Sequence, residues 1–264
     1  MTFQKFVDNW LNPCYYTSTM KILYLQMRKD KETADEEFAE FKRFSGIPAE
    51  QFNVLNVFKT PVFDCTTLDT HDALFIGGSS DDPEDTTYLD PALYPYITSC
   101  EQLIQYAYDT KTPTLASCMG FEIAIDVLGG EMIVDKEHME IGTYTITLTD
   151  DGTTDPLFTN TPAKFTAVSG HKKRAKTLPP GAILLAYSEL CPIHGFTFPD
   201  RPFYAFQFHP EIDVPDLTAR LRRYITRGYV SDTQELAGLM TTFEPTPHAN
   251  ALVKHFVDTF LTSS

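Results

Sequence analysis

The chain has 264 residues, enough for one large α/β domain or two small ones at ~100–200 residues per domain. Its 42% hydrophobic and 22% charged residues supply a full core and exclude wholesale disorder or collagen-like and low-complexity character. Lys plus Arg number 21 against 36 Asp plus Glu, a formal net charge of −15; such a surface repels phosphate backbones and anionic headgroups, so neither nucleic acid nor a membrane is an expected partner.

Residues 1–20 show no clear period and read as an N-terminal extension. They carry Asp8, Asn9 and Asn12 where a secretory signal needs an unbroken apolar region. No run approaches the ~20 apolar residues of a membrane helix, so a cytoplasmic location is expected. Lys21 to Met27 then reads as a buried first strand. From Thr33 to Phe44 the apolar Ala34, Phe38 and Phe41 share one face, the spacing of an amphipathic helix. Apolar runs recur at Phe52 to Phe58, at Asp72 to Ile76 before Gly77-Gly78, and at Thr114 to Ser117. Leu89 to Tyr108 can carry a helix, and another follows Cys118 through Leu128 to a stop at Gly129-Gly130. Strand and helix in alternation imply parallel pairing.

After Gly130 the pattern changes to alternating strands at Thr143 to Leu148, Ala182 to Tyr187, Ile193 to Phe198 and Phe203 to Phe208, an antiparallel-flavoured second half. Two C-terminal helices, within about 214–264, close the chain near Asp216 to Arg227 and from His248 to Leu261. No linker splits residues 21–264, which read as a single domain.

The five cysteines, Cys14, Cys65, Cys100, Cys118 and Cys191, are odd in number and contain no Cys-x-x-Cys pair. Neither a disulfide framework nor a zinc knuckle is suggested. Cys118 differs from the others in sitting where the strand Thr114 to Ser117 runs straight into a helix. A side chain on such an elbow projects above the sheet edge, and the helix N-terminus favours its thiolate. Gly120 fits a close backbone approach, and the Met119 amide is free to donate to an oxyanion. The plain alternative is an inert core cysteine. Downstream, His209 and Glu211 lie two apart around Pro210 at the end of an apolar strand. In extended backbone they share a face, so the carboxylate can fix the imidazole tautomer while the other ring nitrogen meets a nucleophile. Together the three form a Cys-His-Glu set whose members need meet only in space.

With these residues the sequence resembles the class I glutamine amidotransferases, whose pattern is Gly-x-Cys-x-Gly-x-Gln and, further on, His-x-Glu. Gly77-Gly78 looks like the loop that supplies the second oxyanion amide. The stretches Ser188 to Pro192 and Phe206 to Glu211 resemble the amidotransferase portion of GMP synthase. The resemblance covers Lys21 to Asp213 and implies a flavodoxin-like α/β fold, a mostly parallel central sheet flanked by helices with antiparallel additions after Gly130. It also implies a site at the carboxyl ends of the strands.

Three departures qualify it. The family's substrate-holding glutamine is Glu122, in a string similar to the elbow of γ-glutamyl hydrolases. The family's Ser-His-x-Asp stretch is represented by Ser169-Gly170-His171-Lys172-Lys173, basic where an acid is expected. Ala116 stands where glycine is usual.

The reading is a hydrolase in which Cys118 attacks a glutamine or γ-glutamyl amide, His209 moves protons, Glu211 orients His209, the Gly78 and Met119 amides hold the oxyanion, and Glu122 and Gly77 contact substrate. Alternatives are an ammonia-donating subunit for a synthetase in trans and a catalytically silent binding protein. No cofactor and no metal is expected. Asp81, Asp82, Glu84 and Asp85 lack regular ligand spacing and read as a solvated acidic lip. Arg220, Arg222, Arg223 and Arg227 read as an exposed helix face paired with nearby carboxylates. Cys191, His71, His138 and His194 read as structural.

Overall fold

The computed structural model describes residues 20–81, 83–223, 225 and 232–262. Most of the N-terminal extension, with Cys14, and also Asp82 and Arg227 lie outside the described residues. Five strands pair in parallel in the order β2-β1-β3-β4-β11: β1 is Ile22–Gln26, β2 Phe52–Asn56, β3 Ala73–Ile76, β4 Thr114–Ser117 and β11 Arg201–Phe206. Beyond β11 the same sheet continues antiparallel through β10 (Gly195–Phe198), β9 (Ile183–Tyr187), β6 (Glu140–Leu148) and β7 (Lys164–His171). A separate ribbon pairs β5 (Glu131–Val134) with β8 (Lys173–Thr177).

The parallel strands are buried on both faces, which is why they read as continuous apolar runs. Alternate residues go to opposite sides. Leu23, Leu25, Leu74, Ile76 and Ala205 join one core cluster with residues of helices α2 (Ile97–Thr110) and α3 (Met119–Val127). Their neighbours Ile22, Tyr24, Phe75, Tyr204 and Phe206 join another under α1 (Lys31–Ser45) and α7 (Pro247–Phe260). The period of two along each strand thus builds both layers at once. A short helix, α4 (Asp150–Thr154), caps the sheet end, and α5 (Val214–Arg223) and α6 (Thr233–Met240) cover Ile141 and Val168 through a third, smaller cluster.

Local chemistry sets the element ends. Asp30 caps α1 by accepting from Thr33 N, and Gly46, at φ 71°, closes it in the left-handed region. The helix expected from Leu89 starts only at Ile97. Pro91 and Pro95 break the run, and Asp90 instead organises a turn whose Ala92 and Tyr94 amides it holds. Among the described residues no helix is long and apolar enough to cross a membrane.

The arginine run divides. Arg222 is exposed and Arg223 pairs with Glu36 and Glu32, as an exposed face would. Arg220 does not: it is buried and donates from Nη2 to both oxygens of Glu40 at 2.8 Å, tying α5 to α1. Burial pushes the Glu40 carboxyl up to about 8, against the pull of Arg220. A carboxyl raised in the folded chain binds its proton more tightly there than in the unfolded chain. Its contribution is therefore full below about pH 4.5 and is lost as pH rises through about 8. Stability from urea unfolding should fall across that window more steeply in the native chain than in Glu40→Gln; equal slopes would exclude Glu40 as the cause.

Candidate active site

The carboxyl ends of the parallel strands collect the chemistry. Arg28 follows β1, Gly77-Gly78 follows β3, Cys118 follows β4, and His209 and Glu211 follow β11. Cys118 holds φ 50° and ψ −106°, a backbone shape that a non-glycine residue adopts only under constraint. The constraints are visible. Its amide donates to Phe206 O at 2.8 Å, and its carbonyl accepts from Glu122 N at 3.0 Å, the first bond of α3. Gly120 packs against β3 so closely that a Cβ there would lie 2.7 Å from Ile76 Cγ2. The result is the strand-to-helix elbow that the sequence predicts. Met119 is the first residue of α3, where an amide has no acceptor within its own helix.

His209 Nδ1 lies 2.6 Å from Glu211 Oε1, and both residues are buried. Burial raises the Glu211 carboxyl, but the His209 contact, a backbone hydrogen bond and the Arg220 charge together outweigh it, and the net direction is down. The carboxylate thus stays ionised beside the ring. The His209 amide donates to Val168 O at 2.8 Å, so β7 positions the histidine backbone. Gly78 lies between the two predicted reactive side chains: a Cβ there would be 3.0 Å from His209 Cε1 and 3.3 Å from Cys118 Cβ. Cys118 Sγ reaches Gly170 O at 4.0 Å across the opening.

Five supporting residues have roles that a reading of motifs does not assign. Ser117, one place before the cysteine, donates to Glu211 Oε1 at 3.1 Å. Gln207, fully buried, donates to Glu122 Oε1 at 3.3 Å. Glu37 and Arg28 form a buried ion pair at 2.8 Å under the glycine loop, and Tyr24 also donates to Glu37. The same Glu37 accepts from the Gly78 amide at 3.1 Å. Gly77 packs over this carboxylate, with no room for a Cβ. Ser117 sits beside the one cysteine the motifs single out; Arg28 and Glu37 lie in a strand end and a helix with no signal of their own.

The cleft over Cys118 is lined by Ser79, Ser80, Met119, Glu122, Gly170, His171, Lys172 and Lys173. In the acidic segment after the loop Glu84 and Asp85 are exposed, as a solvated lip requires, and Glu84 also accepts from the mostly buried Lys172 Nζ at 2.6 Å. Glu122 and Lys173 face this cleft and an adjoining one. A thiol on an elbow, an imidazole held by a carboxylate and a helix-end amide can together attack a carbonyl, hold the resulting oxyanion and move the proton.

The family model for glutamine amidotransferase class-I matches residues 51–221. The chain belongs to that family. It is 31% identical over 118 residues to a glutamine-hydrolyzing GMP synthase subunit from Methanocaldococcus jannaschii, covering 45% of this chain and 61% of that protein. The protein of the same description from Pyrococcus abyssi is 28% identical over 153 residues, covering 58% and 72%. The match to the first of these thus spans about three fifths of that relative's length. Among solved structures, a glutamine amidotransferase from Thermotoga maritima superposes with TM-score 0.72 at 18% identity, covering 94% of this chain and all of that one. One from Methylobacillus flagellatus gives 0.66 at 17%, covering 91% and 95%. At these identities the likeness speaks for the fold.

Adding a methyl group at the elbow glycine should show how tightly the crossing is drawn. Gly120→Ala is expected to lose about 1–3 kcal/mol of stability through overpacking against Ile76, read as a lowered midpoint in urea. A variant as stable as the parent would mean that the elbow relaxes freely.

Proposed function

We propose that the chain hydrolyses a glutamine or γ-glutamyl amide through Cys118, His209 and Glu211. The observation that carries this reading is the strained Cys118 elbow beside a buried His209–Glu211 pair, with Gly78 between them. The Cys118 thiolate adds to the amide carbonyl. The tetrahedral oxyanion is held by the Met119 amide and by that of Gly78, which would turn from Glu37. Collapse breaks the C–N bond as His209 protonates the leaving nitrogen, giving a γ-glutamyl thioester and ammonia or an amine. His209 then takes a proton from water, whose oxygen adds to the thioester, and glutamate leaves as the thiolate is restored.

Glu122 and Lys173 would set the substrate's amino-acid end. The family pattern places glutamine and an acid at these points, and here an acid and a base stand instead. Glu122, braced by Gln207, would take the α-ammonium and Lys173 the α-carboxylate. Gly77 would support the same region by keeping the loop low over Glu37. The plainer role for Glu122 is to complement the α3 dipole from its first turn.

A second reading has a specific observation behind it: the relatives are named as glutamine-hydrolysing subunits of a synthase. On that reading the chain donates ammonia to a synthetase partner in trans.

The deciding experiment incubates the purified chain with glutamine and with a panel of γ-glutamyl amides and peptides while ammonia and glutamate are followed. Turnover of γ-glutamyl peptides in preference to glutamine supports the hydrolase; glutamine turnover that rises only with a synthetase present supports the donor; no turnover of any compound overturns both. Cys118→Ala and His209→Ala are expected to abolish turnover, whereas Glu211→Gln costs on the order of 10–10³, less than the roughly 10⁴ of a serine triad. Glutamate formation that survives Cys118→Ala would end the mechanism.

Substrate preference is tested separately by Glu122→Gln. It should shift relative kcat/KM among γ-glutamyl compounds and glutamine by about 1–2 kcal/mol, a factor of roughly 5 to 30. Unchanged ratios would return Glu122 to the helix dipole.

A further inference from the structure

Beside the cleft, but outside the residues that the proposed reaction uses, the antiparallel half of the sheet gathers a second set of reactive side chains. His171 ends β7, Cys191 lies in the turn after β9, and His194 lies just before β10. Each offers one ligand atom, and these atoms all lie within 4.8 Å of one another. All three residues are buried, His194 and Cys191 at 0% exposure and His171 at 3%. Cys191 and His194 lie three apart in the connection from β9 to β10, and the fold brings His171 to them from the end of β7.

We propose that His171, Cys191 and His194 form a binding site for a borderline-soft divalent metal ion of the zinc class. One imidazole nitrogen from each histidine and one thiolate make an N₂S donor set, suited to zinc in a tetrahedral site. Tetrahedral zinc, with bonds of about 2.0–2.3 Å, brings such donors about 3.3–3.7 Å apart. Closing from 4.8 Å therefore needs side-chain shifts on the order of an ångström.

The surroundings favour a metal over an accidental cluster. Glu140, the cross-strand neighbour of His171 at the start of β6, places Oε2 2.7 Å from His194 Nε2 and 3.3 Å from His171 Nε2. One buried carboxylate therefore orients both rings, the arrangement that fixes histidine ligands from behind. Ser188 donates to the same carboxylate and also holds the Cys191 amide at 2.9 Å, which fixes the turn carrying the thiol. His194 further keeps Nδ1 buried without a hydrogen-bond partner, an omission that calls for an explanation. Binding would replace the Cys191 S–H bond by a metal–sulfur bond and release one proton to solvent.

The site has a structural consequence. It would clamp the end of β7 to the β9–β10 corner, and β7 carries both Gly170, whose carbonyl faces Cys118, and Val168, whose carbonyl holds the His209 amide. A bound ion would brace this wall of the cleft without touching substrate.

The test uses the full chain carrying Cys118→Ala, so that the elbow thiol contributes nothing, stripped with a chelator and titrated with Zn²⁺ and with Co²⁺. The expected result is one equivalent of metal per chain, a raised Tm and a thiolate-to-cobalt charge-transfer band. Cys191→Ser in the same background should abolish the band, and Glu140→Gln should weaken zinc binding by about 10–100-fold. Cys65→Ser should change neither. If Cys191→Ser fails to fold, His171→Gln replaces it and should likewise lose the metal. A folded chain that takes up no zinc overturns the proposal, as does a cobalt band that survives Cys191→Ser; either outcome leaves Glu140 as a buried counter-charge for two histidines.

Discussion

The backbone at Cys118 is the constraint from which the rest of the site follows. Holding a non-glycine residue at φ 50° costs on the order of 1–3 kcal/mol. The cost is met by contacts on every side: the Phe206 carbonyl that receives the Cys118 amide, the first hydrogen bond of α3, and the absence of a side chain on Gly120, which lets α3 press against Ile76. These contacts come from β11, α3 and β3. The elbow is therefore set by the sheet order β3-β4-β11 rather than by the local sequence alone. The same order puts His209, three residues past Phe206 at the end of β11, beside the strand that leads into the cysteine.

A second constraint is charge. Glu37, Glu40, Glu140 and Glu211 are all buried at 0–2% exposure, in a chain whose net charge is already −15. Each has a partner that supplies positive charge or a proton: Arg28 and Tyr24 for Glu37, Arg220 for Glu40, His171 and His194 for Glu140, His209 for Glu211. Removing one member of such a pair leaves the other desolvated, so these pairs fix geometry more than they add net stability. Glu211 and Glu37 use that rigidity within the candidate site. Glu40 uses it to seat α5, whose Arg220 also helps hold the Glu211 carboxyl down.

How much of this the sequence discloses depends on whether the chemistry lies in one contiguous string. Cys118 with its flanking strand and helix, and His209-Pro210-Glu211, are short strings whose residue types carry their meaning, and the structure brings both strings to the same strand ends. Arg28, Glu37 and Gln207 are ordinary polar residues until the sheet places them behind the reactive groups. Arg220 shows the reverse failure. Its neighbours make a charge run that reads as solvated, yet its own position on α5 turns inward onto Glu40. The helix expected from Leu89 to Tyr108 forms from Ile97 onward, and its start is displaced for a local reason, since Pro91 and Pro95 interrupt a run whose apolar composition alone would continue it. Periodicity reports one face of one element. Contacts across the sheet remain beyond it.

The glycine loop joins these threads. The Gly78 amide, proposed as an oxyanion donor, is engaged with Glu37. A carboxylate has about four lone-pair sites, and Glu37 also receives Tyr24 and Arg28. It would thus remain satisfied if Gly78 let go, because its charge would still face a guanidinium. The amide, for its part, would exchange one charge-assisted hydrogen bond for another as negative charge develops on the substrate oxygen, so the two states differ little in the kind of bond made. What separates them is timing. A donor whose resting partner is an anion gains from turning only when a competing anion appears, which on the proposed mechanism happens as the tetrahedral intermediate forms. The Arg28–Glu37 pair would then serve the loop in two ways, holding it low enough for Gly77 to pack and giving the amide a place to rest that substrate charge can displace.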